Sequence, residues 1–207
     1  MKKIAFLLSV FIFCCAFPSY AQKNKNDVQK GHIGITFSSF GDNSVVRFHE
    51  LDGSASYSGD KYYTFGIAYL YKLNKTFDFE TGIEYSYHKI YITPNNLPPY
   101  IDIIPRSENF SLINIPITFR LNFLKYCFIN GGILFDIDAG NLPVDSQTGI
   151  GGIIGLGLKY DFKSRISVFV NPYLKAHSLI PFSSWEHHQM VMEDGSSFRF
   201  GLIYKLK

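Results

Sequence analysis

Residues 77–92 read FDFETGIEYSYHKIYI. From Phe79 to Tyr91 every second residue is bulky or apolar except Thr81 and Lys89, while Asp78, Glu80, Glu84 and His88 fall between them. Successive side chains of a strand point to opposite faces, so Phe79, Ile83, Tyr85 and Tyr87 share one face and Glu80, Gly82, Glu84, Ser86 and His88 the other. A helix would scatter both sets. The β-branched and aromatic content agrees with a strand. The stretch therefore turns on what its apolar face meets, and on whether two carboxylates four residues apart are catalytic or structural.

The beginning of the chain bears on the compartment. MKKIAFLLSVFIFCCAFPSYAQ has basic Lys2 and Lys3, an apolar run from Ile4 to Phe17, and small residues at Ser19 and Ala21, the pattern of a secretory signal peptide cleaved after Ala21. The run is about 14 residues, short of the roughly 20 that a membrane-spanning helix needs. Residues 1–21 are read as signal, 22–30 as a short periplasmic segment and 31–207 as one domain. Cleavage removes Cys14 and Cys15 and leaves Cys127 alone, which excludes an intramolecular disulfide. It also leaves 18 basic residues against 17 acidic ones, so charge gives no argument for a nucleic-acid partner.

Seven further segments share the strand pattern of 77–92: 31–40, 61–72, 110–123, 126–139, 149–162, 166–179 and 196–206. Most are longer than the five or six residues usual in soluble sheets. Their connections alternate in length. Asn74-Lys75, Leu124-Lys125 and Lys163-Ser164-Arg165 mark tight turns, and 41–60, 93–109, 140–148 and 180–195 are long polar or proline-bearing loops. Eight long antiparallel strands with three short turns and four long loops predict an all-β fold, an eight-stranded antiparallel up-and-down transmembrane β-barrel.

The two faces agree. One carries Tyr63, Phe65, Ile67, Tyr69 and Tyr71 in the second strand, Ile113 to Leu121 in the fourth, Ile154 to Tyr160 in the sixth and Phe198 to Tyr204 in the eighth, without a charge. A Lys or Arg at the bilayer midplane costs about 2–4 kcal/mol, so a lipid-facing surface must be of this kind. The other face is small and polar, with Gly34, Thr36, Thr64, Gly66, Asn114, Thr118, Asn130, Gly155 and Gly201. A soluble lipocalin-like barrel binding a small hydrophobic ligand shows the same alternation with inside and outside exchanged. Its water-facing surface would be dense in Lys, Glu, Gln and Thr. The glycine and serine of the polar face favour the membrane barrel.

The stretch LINIPITFRL, then FINGGILF, GIGGIIGLGLKYDF and the closing FRFGLIYKL, resembles the outer-membrane β-barrel family common in Bacteroidetes, which includes PorT-like proteins and shares the eight-stranded plan of the OmpA transmembrane domain and OmpX. The resemblance is best at the Ile115-Pro116 step and at Gly155-Leu156-Gly157, and spans nearly the whole mature chain. It implies a fold and an outer-membrane address, with lipid and the barrel-assembly machinery as partners. The closing strand departs from the usual assembly signal by ending in Lys207. A PorT-like role accessory to secretion is an alternative function that rests on the resemblance alone.

Charges enclosed in a narrow barrel should meet partners, because an unpaired buried charge costs several kcal/mol. We expect a structural lumen network in which Glu80 and Glu84 meet Arg120 and Lys159, Asp136 and Asp138 face Lys175 and His177, and Arg199 takes part. No catalytic residue, cofactor or metal ligand is assigned. Lipid A-modifying barrels use a Ser/His/acid set near the membrane rim, but His177 and Ser178 are consecutive and cannot form a dyad without a bulge. His187-His188, beside Trp185 and Glu186, lacks a third ligand at fixed spacing. Phe128 and Tyr173 argue against a pore. Function is left to the loops, GDNSVVRFHELDGSASYSGD and IPFSSWEHHQMVMED above all, which suit recognition of an extracellular or envelope protein partner.

Overall fold

The computed structural model describes residues 31–39, 41–47, 55–94, 104–140, 143–183 and 190–206. Residues 1–21, where a signal peptide is expected, the segment 22–30 and the pair His187-His188 lie outside them. Among the described residues nine strands are formed: β1 (Gly31–Ser39), β2 (Asp42–Arg47), β3 (Ser56–Lys72), β4 (Phe77–Thr93), β5 (Arg106–Phe123), β6 (Cys127–Asp138), β7 (Gly149–Asp161), β8 (Ile166–Pro181) and β9 (Met190–Lys205).

Each strand from β3 to β9 pairs antiparallel with its neighbours in sequence, and β1 pairs with both β3 and β9. The sheet is therefore closed. β2 is not a ninth stave. It continues β1 along β9 in the same register, with Ser39 opposite Phe198 and Asp42 opposite Gly195. The result is an eight-stave up-and-down barrel. A path across paired residues from His32 runs through Leu70, Glu80, Thr118, Gly132, Ile153, Lys175 and Asp194 and returns to the first stave at Asn43 rather than His32. That stagger is the tilt that a sheet needs to close on itself.

The strands run further at the loop end than the sequence predicts. Residues 42–47 and 56–60, placed in the first loop by composition, are paired strand, as are 106–109 and 190–195. β3, β4 and β5 are 17, 17 and 18 residues long, against the 9–11 that span a bilayer. Their polar outer parts are hairpins standing clear of the apolar band, so composition marked the membrane boundary and not the strand end. At the opposite end the turns are tight. Asn74 Oδ1 accepts from the backbone N–H groups of Thr76 and Phe77, both at 2.8 Å, and Leu124 and Arg165 take positive φ of 57° and 65° to reverse the chain.

The faces sort as an apolar outside around a polar inside. Ile83, Ile154, Leu156, Leu158, Phe119 and Ile67 are each more than half exposed on the outer wall. Arg120, Arg199, Lys175, Glu80 and Glu84 are buried within. A continuous belt of such side chains is stable only against hydrocarbon, so the barrel is a transmembrane one. The inverted, lipocalin-like arrangement does not occur. Aromatic residues mark both rims: Tyr63 stacks on Tyr87 at 5.0 Å towards the loop end, and Tyr126 on Tyr160 at 6.0 Å beside the turns. Cys127 lies on the outer face near a turn and is half-buried.

Inside, large side chains fill space that glycines leave on the next stave. Phe128 faces Gly157 and Phe169 faces Gly201 in register, and a Cβ on either glycine would lie 2.2 Å or 2.0 Å from the ring. Pro116 has no N–H to donate, and the β4–β5 pairing lapses between Thr81↔Ile117 and Glu84↔Asn114 without a change of register, while on the β6 side Pro116 stays opposite Leu134.

Candidate functional site: the polar layer of the lumen

The lumen is layered along the barrel axis. Nearest the turns, Ala68, Leu70, Phe128, Phe169 and Ile203 pack together. Towards the loops, Ile90, Phe110, Leu112 and Met192 form a second apolar cluster with Val45, Tyr57, Ile92 and Val144 against it. Leu134, Ile153 and Tyr173 make a third on one wall. The charged and hydrogen-bonding groups are held between these clusters, out of contact with water.

Two groupings make up that polar layer. In the first, Arg120 Nη2 donates to Glu80 Oε2 at 2.7 Å, and Arg199 Nη2 lies 2.8 Å from Glu80 Oε1 and 3.3 Å from Glu84 Oε1. Lys175 Nζ donates to Glu84 Oε2 at 2.6 Å. Both guanidinium groups also rest on aromatic faces, Arg120 over Phe128 at 4.0 Å and Phe169 at 4.7 Å, Arg199 over Phe169 at 5.6 Å. Two carboxylates and three cations thus form one chain across the barrel. Glu84 on β4 and Lys175 on β8 stand on opposite walls, so their ion pair braces the full width of the lumen.

The second grouping lies towards the loops. Asp136 Oδ1 accepts from Asn114 Nδ2 at 2.6 Å and meets His177 Nδ1 at 3.1 Å, while its Oδ2 accepts from the Ser178 backbone N–H at 3.1 Å. Asn114 Oδ1 accepts from Ser86 Oγ at 2.5 Å, and Ser86 Oγ lies 2.9 Å from Thr64 Oγ1. Asp194 stands between two imidazoles, its Oδ2 3.3 Å from His177 Nε2 and its Oδ1 3.5 Å from His88 Nδ1. Ligand atoms of His88, His177 and Asp194 all lie within 4.8 Å of one another.

Bulges put these groups together. The β7–β8 register shifts between Ile150 and Gly152, where Ser178 has φ 45° and both His177 and Ser178 turn inward. The β8–β9 register shifts between Tyr173 and Lys175, beside Asp194, and the β3–β4 register between Gly59 and Tyr62, beside His88. A bulge inserts residues into one strand and re-aims its side chains. The condition that strict alternation denied to His177 and Ser178 is therefore met, but in the sealed lumen rather than at the membrane rim.

The expected network is corrected at three points. Lys159 does not reach the glutamates: it is half-buried at the turn end and donates to Asn122 Oδ1, beside a cavity of about 70 Å³ that Asp78 and Asp161 also line. Lys175 pairs with Glu84 and not with Asp136 or Asp138, because the ladder's stagger sets it level with β4 across the lumen. Asp138 lies above the buried layer and ties down the chain that follows it, accepting from Ser146 Oγ at 2.6 Å and the Gln147 N–H at 2.9 Å. Asp194 and His88 also belong to the layer, beyond the residues expected there. His88 shows the right period in the sequence, whereas Asp194 stands in a stretch with the composition of a loop that forms the outer part of β9.

No protein-family model and no curated protein sequence matches the chain. Among solved structures it is similar to the outer membrane protein OprG from Pseudomonas aeruginosa, with 10% identity over 86% of this chain and 96% of that one and a TM-score of 0.42. It is also similar to the outer membrane protein AlkL, with 12% identity over 90% and 94% and a TM-score of 0.47. The attachment invasion locus protein Ail of Yersinia pestis aligns with 11% identity over 86% and 100% and a TM-score of 0.42. These are distant likenesses, and the architecture rests on the strand pairing described above.

Proposed function

We propose that the protein is a non-enzymatic barrel of the bacterial outer membrane, a rigid post whose interior is plugged and whose long loop-end hairpins meet partners at the cell surface or within the envelope. The observation that carries this reading is the filled lumen. Glu80, Glu84, Arg120, Lys175 and Arg199 are at most 2% exposed, and apolar clusters lie on both sides of them. An interior so closed leaves no route for a solute, and keeps His177 and Ser178 away from any lipid substrate. The outer-membrane address is supported by the apolar belt, the signal-like start of the chain and the resemblance to the PorT-like barrels of Bacteroidetes. The interaction role is supported by the paired hairpins. Along them Lys89 meets Asp60 at 3.0 Å, and at the outer end of β2 Arg47 Nη2 donates to the Ala55 carbonyl at 2.6 Å, so recognition elements would be presented on an ordered frame.

The test begins with the protein purified from membranes in detergent. Faster migration of the unboiled than of the boiled sample on an SDS gel is expected of the closed barrel. Reconstituted in planar bilayers, the same sample should show no steady single-channel conductance. Copurification of envelope proteins with the intact protein, abolished when 48–54 is replaced by a Gly/Ser segment, would identify the partner surface. A stable conducting state would overturn the plugged-post reading, and equal migration of the two samples would overturn the barrel itself.

A further inference from the structure

The second lumen grouping contains donors without adequate partners. Asp136 is fully engaged by Asn114, His177 and the Ser178 N–H, and its carboxylate 3.1 Å from His177 Nδ1 favours a proton on that nitrogen. His177 Nε2 lies 3.3 Å from Asp194 Oδ2, a contact that needs a proton or a cation between the two atoms. Asp194 Oδ1 and both ring nitrogens of His88 are buried without a hydrogen bond. The His88 ring cannot turn away to find one. It is stacked between Tyr62, 5.8 Å and 13° away, and Phe110, 5.2 Å and 16° away. A buried polar group left unpaired costs about 1–3 kcal/mol, so a cluster of them points to an occupant.

We propose that His88, His177 and Asp194 bind a divalent transition-metal ion of the zinc class inside the barrel. Two imidazoles and a carboxylate are the ligand types of that ion, and a tetrahedral site with bonds of 2.0–2.1 Å places neighbouring ligand atoms about 3.3 Å apart. The two imidazoles face different oxygens of Asp194, at 3.3 and 3.5 Å, and the three ligand atoms lie within 4.8 Å of one another, so the side chains would draw in around the ion. Asp136 supplies the outer carboxylate that fixes the tautomer and direction of a ligating histidine. The ligands come from β4, β8 and β9, so the ion would tie opposite walls of the barrel together. The site is closed by Phe110 and Met192 on the loop side, and the ion therefore enters as the barrel forms and stays once it has closed.

The experiment uses the full untagged protein, unfolded in chelator and refolded in detergent with zinc, with cobalt(II) or with neither. After dialysis against chelator the zinc-refolded protein should retain about one equivalent by mass spectrometry, and the cobalt form should show the intense visible absorption of a tetrahedral centre. His88→Phe keeps a ring between Tyr62 and Phe110, and Asp194→Asn keeps the side-chain shape; each should lower retention at least about tenfold. Asp136→Asn should weaken it about 10–100-fold. The unboiled gel band reports folding in every case, and if His88→Phe fails to fold, Asp194→Asn and the cobalt spectrum of the unaltered protein decide. His187→Ala/His188→Ala should retain the ion. No retained metal, equal retention in the lumen variants, or loss only in the His187/His188 variant would each overturn the proposal.

Discussion

Glu80 is the residue whose removal should injure the barrel most. Its two carboxylate oxygens meet two guanidinium groups, Arg120 at 2.7 Å and Arg199 at 2.8 Å, and the side chain is wholly buried. In Glu80→Ala, Arg199 keeps Glu84 at 3.3 Å, but Arg120 loses its ion-pair partner and keeps the faces of Phe128 and Phe169. Breaking a buried pair by removing one partner costs about 3–5 kcal/mol, chiefly the penalty of the stranded charge. Arg120→Met should cost less, about 1–3 kcal/mol, because Glu80 keeps Arg199 and the thioether still packs on the rings. The double variant strands no charge, so it should be more stable than the sum of the singles by at least about 1 kcal/mol. The assay is reversible urea unfolding of the lipid-reconstituted barrel, followed by the heat-modifiable gel band. Singles within about 0.5 kcal/mol of the unaltered protein, as for surface changes, or strict additivity in the double, would refute the reasoning.

On the outer wall, Ile67→Lys places a charge in the apolar belt and should destabilise the barrel in lipid by about 2–4 kcal/mol; equal folding midpoints for variant and parent would contradict the lipid-facing assignment. Gly201→Val should cost about 1–3 kcal/mol because its Cβ would meet the Phe169 ring at 2.0 Å, whereas Gly152→Val, whose Cβ meets only Leu179 Cδ1 at 3.6 Å, should be nearly silent in the same unfolding assay. Asp138→Ala releases Ser146 and Gln147 and should speed hydrogen exchange of 143–148 severalfold, with the global unfolding midpoint changed by less than about 1 kcal/mol.

The residues 77–92 carried most of the fold in their own order. A period of two is a local property of the backbone, so the apolar and polar faces of β4, and of every other stave, could be read without knowing what they met. Strand length, the tight turns at Asn74, Leu124 and Arg165, and the absence of charge from one face then favoured a membrane barrel over its inverted, soluble counterpart. The sequence also placed Glu80, Glu84, Arg120 and Arg199 on the inner face. It misplaced the strand ends, because polar hairpins above the membrane have the composition of loops.

Partnership inside the lumen was decided only by the tertiary structure. Glu84 and Lys175 stand on opposite walls, and which pair of residues shares a level depends on the stagger accumulated around all eight staves. No local pattern encodes that sum, so Lys175 was assigned to the wrong carboxylates and Lys159 was brought into a network it does not reach. The bulges near Tyr62, Ser178 and Asp194 act in the same way. Each inserts residues that break the period of two, and so hides from the sequence the groups it turns inward. Period is set by each peptide's own geometry and survives in the order of the residues; stagger and bulge arise only when the sheet closes.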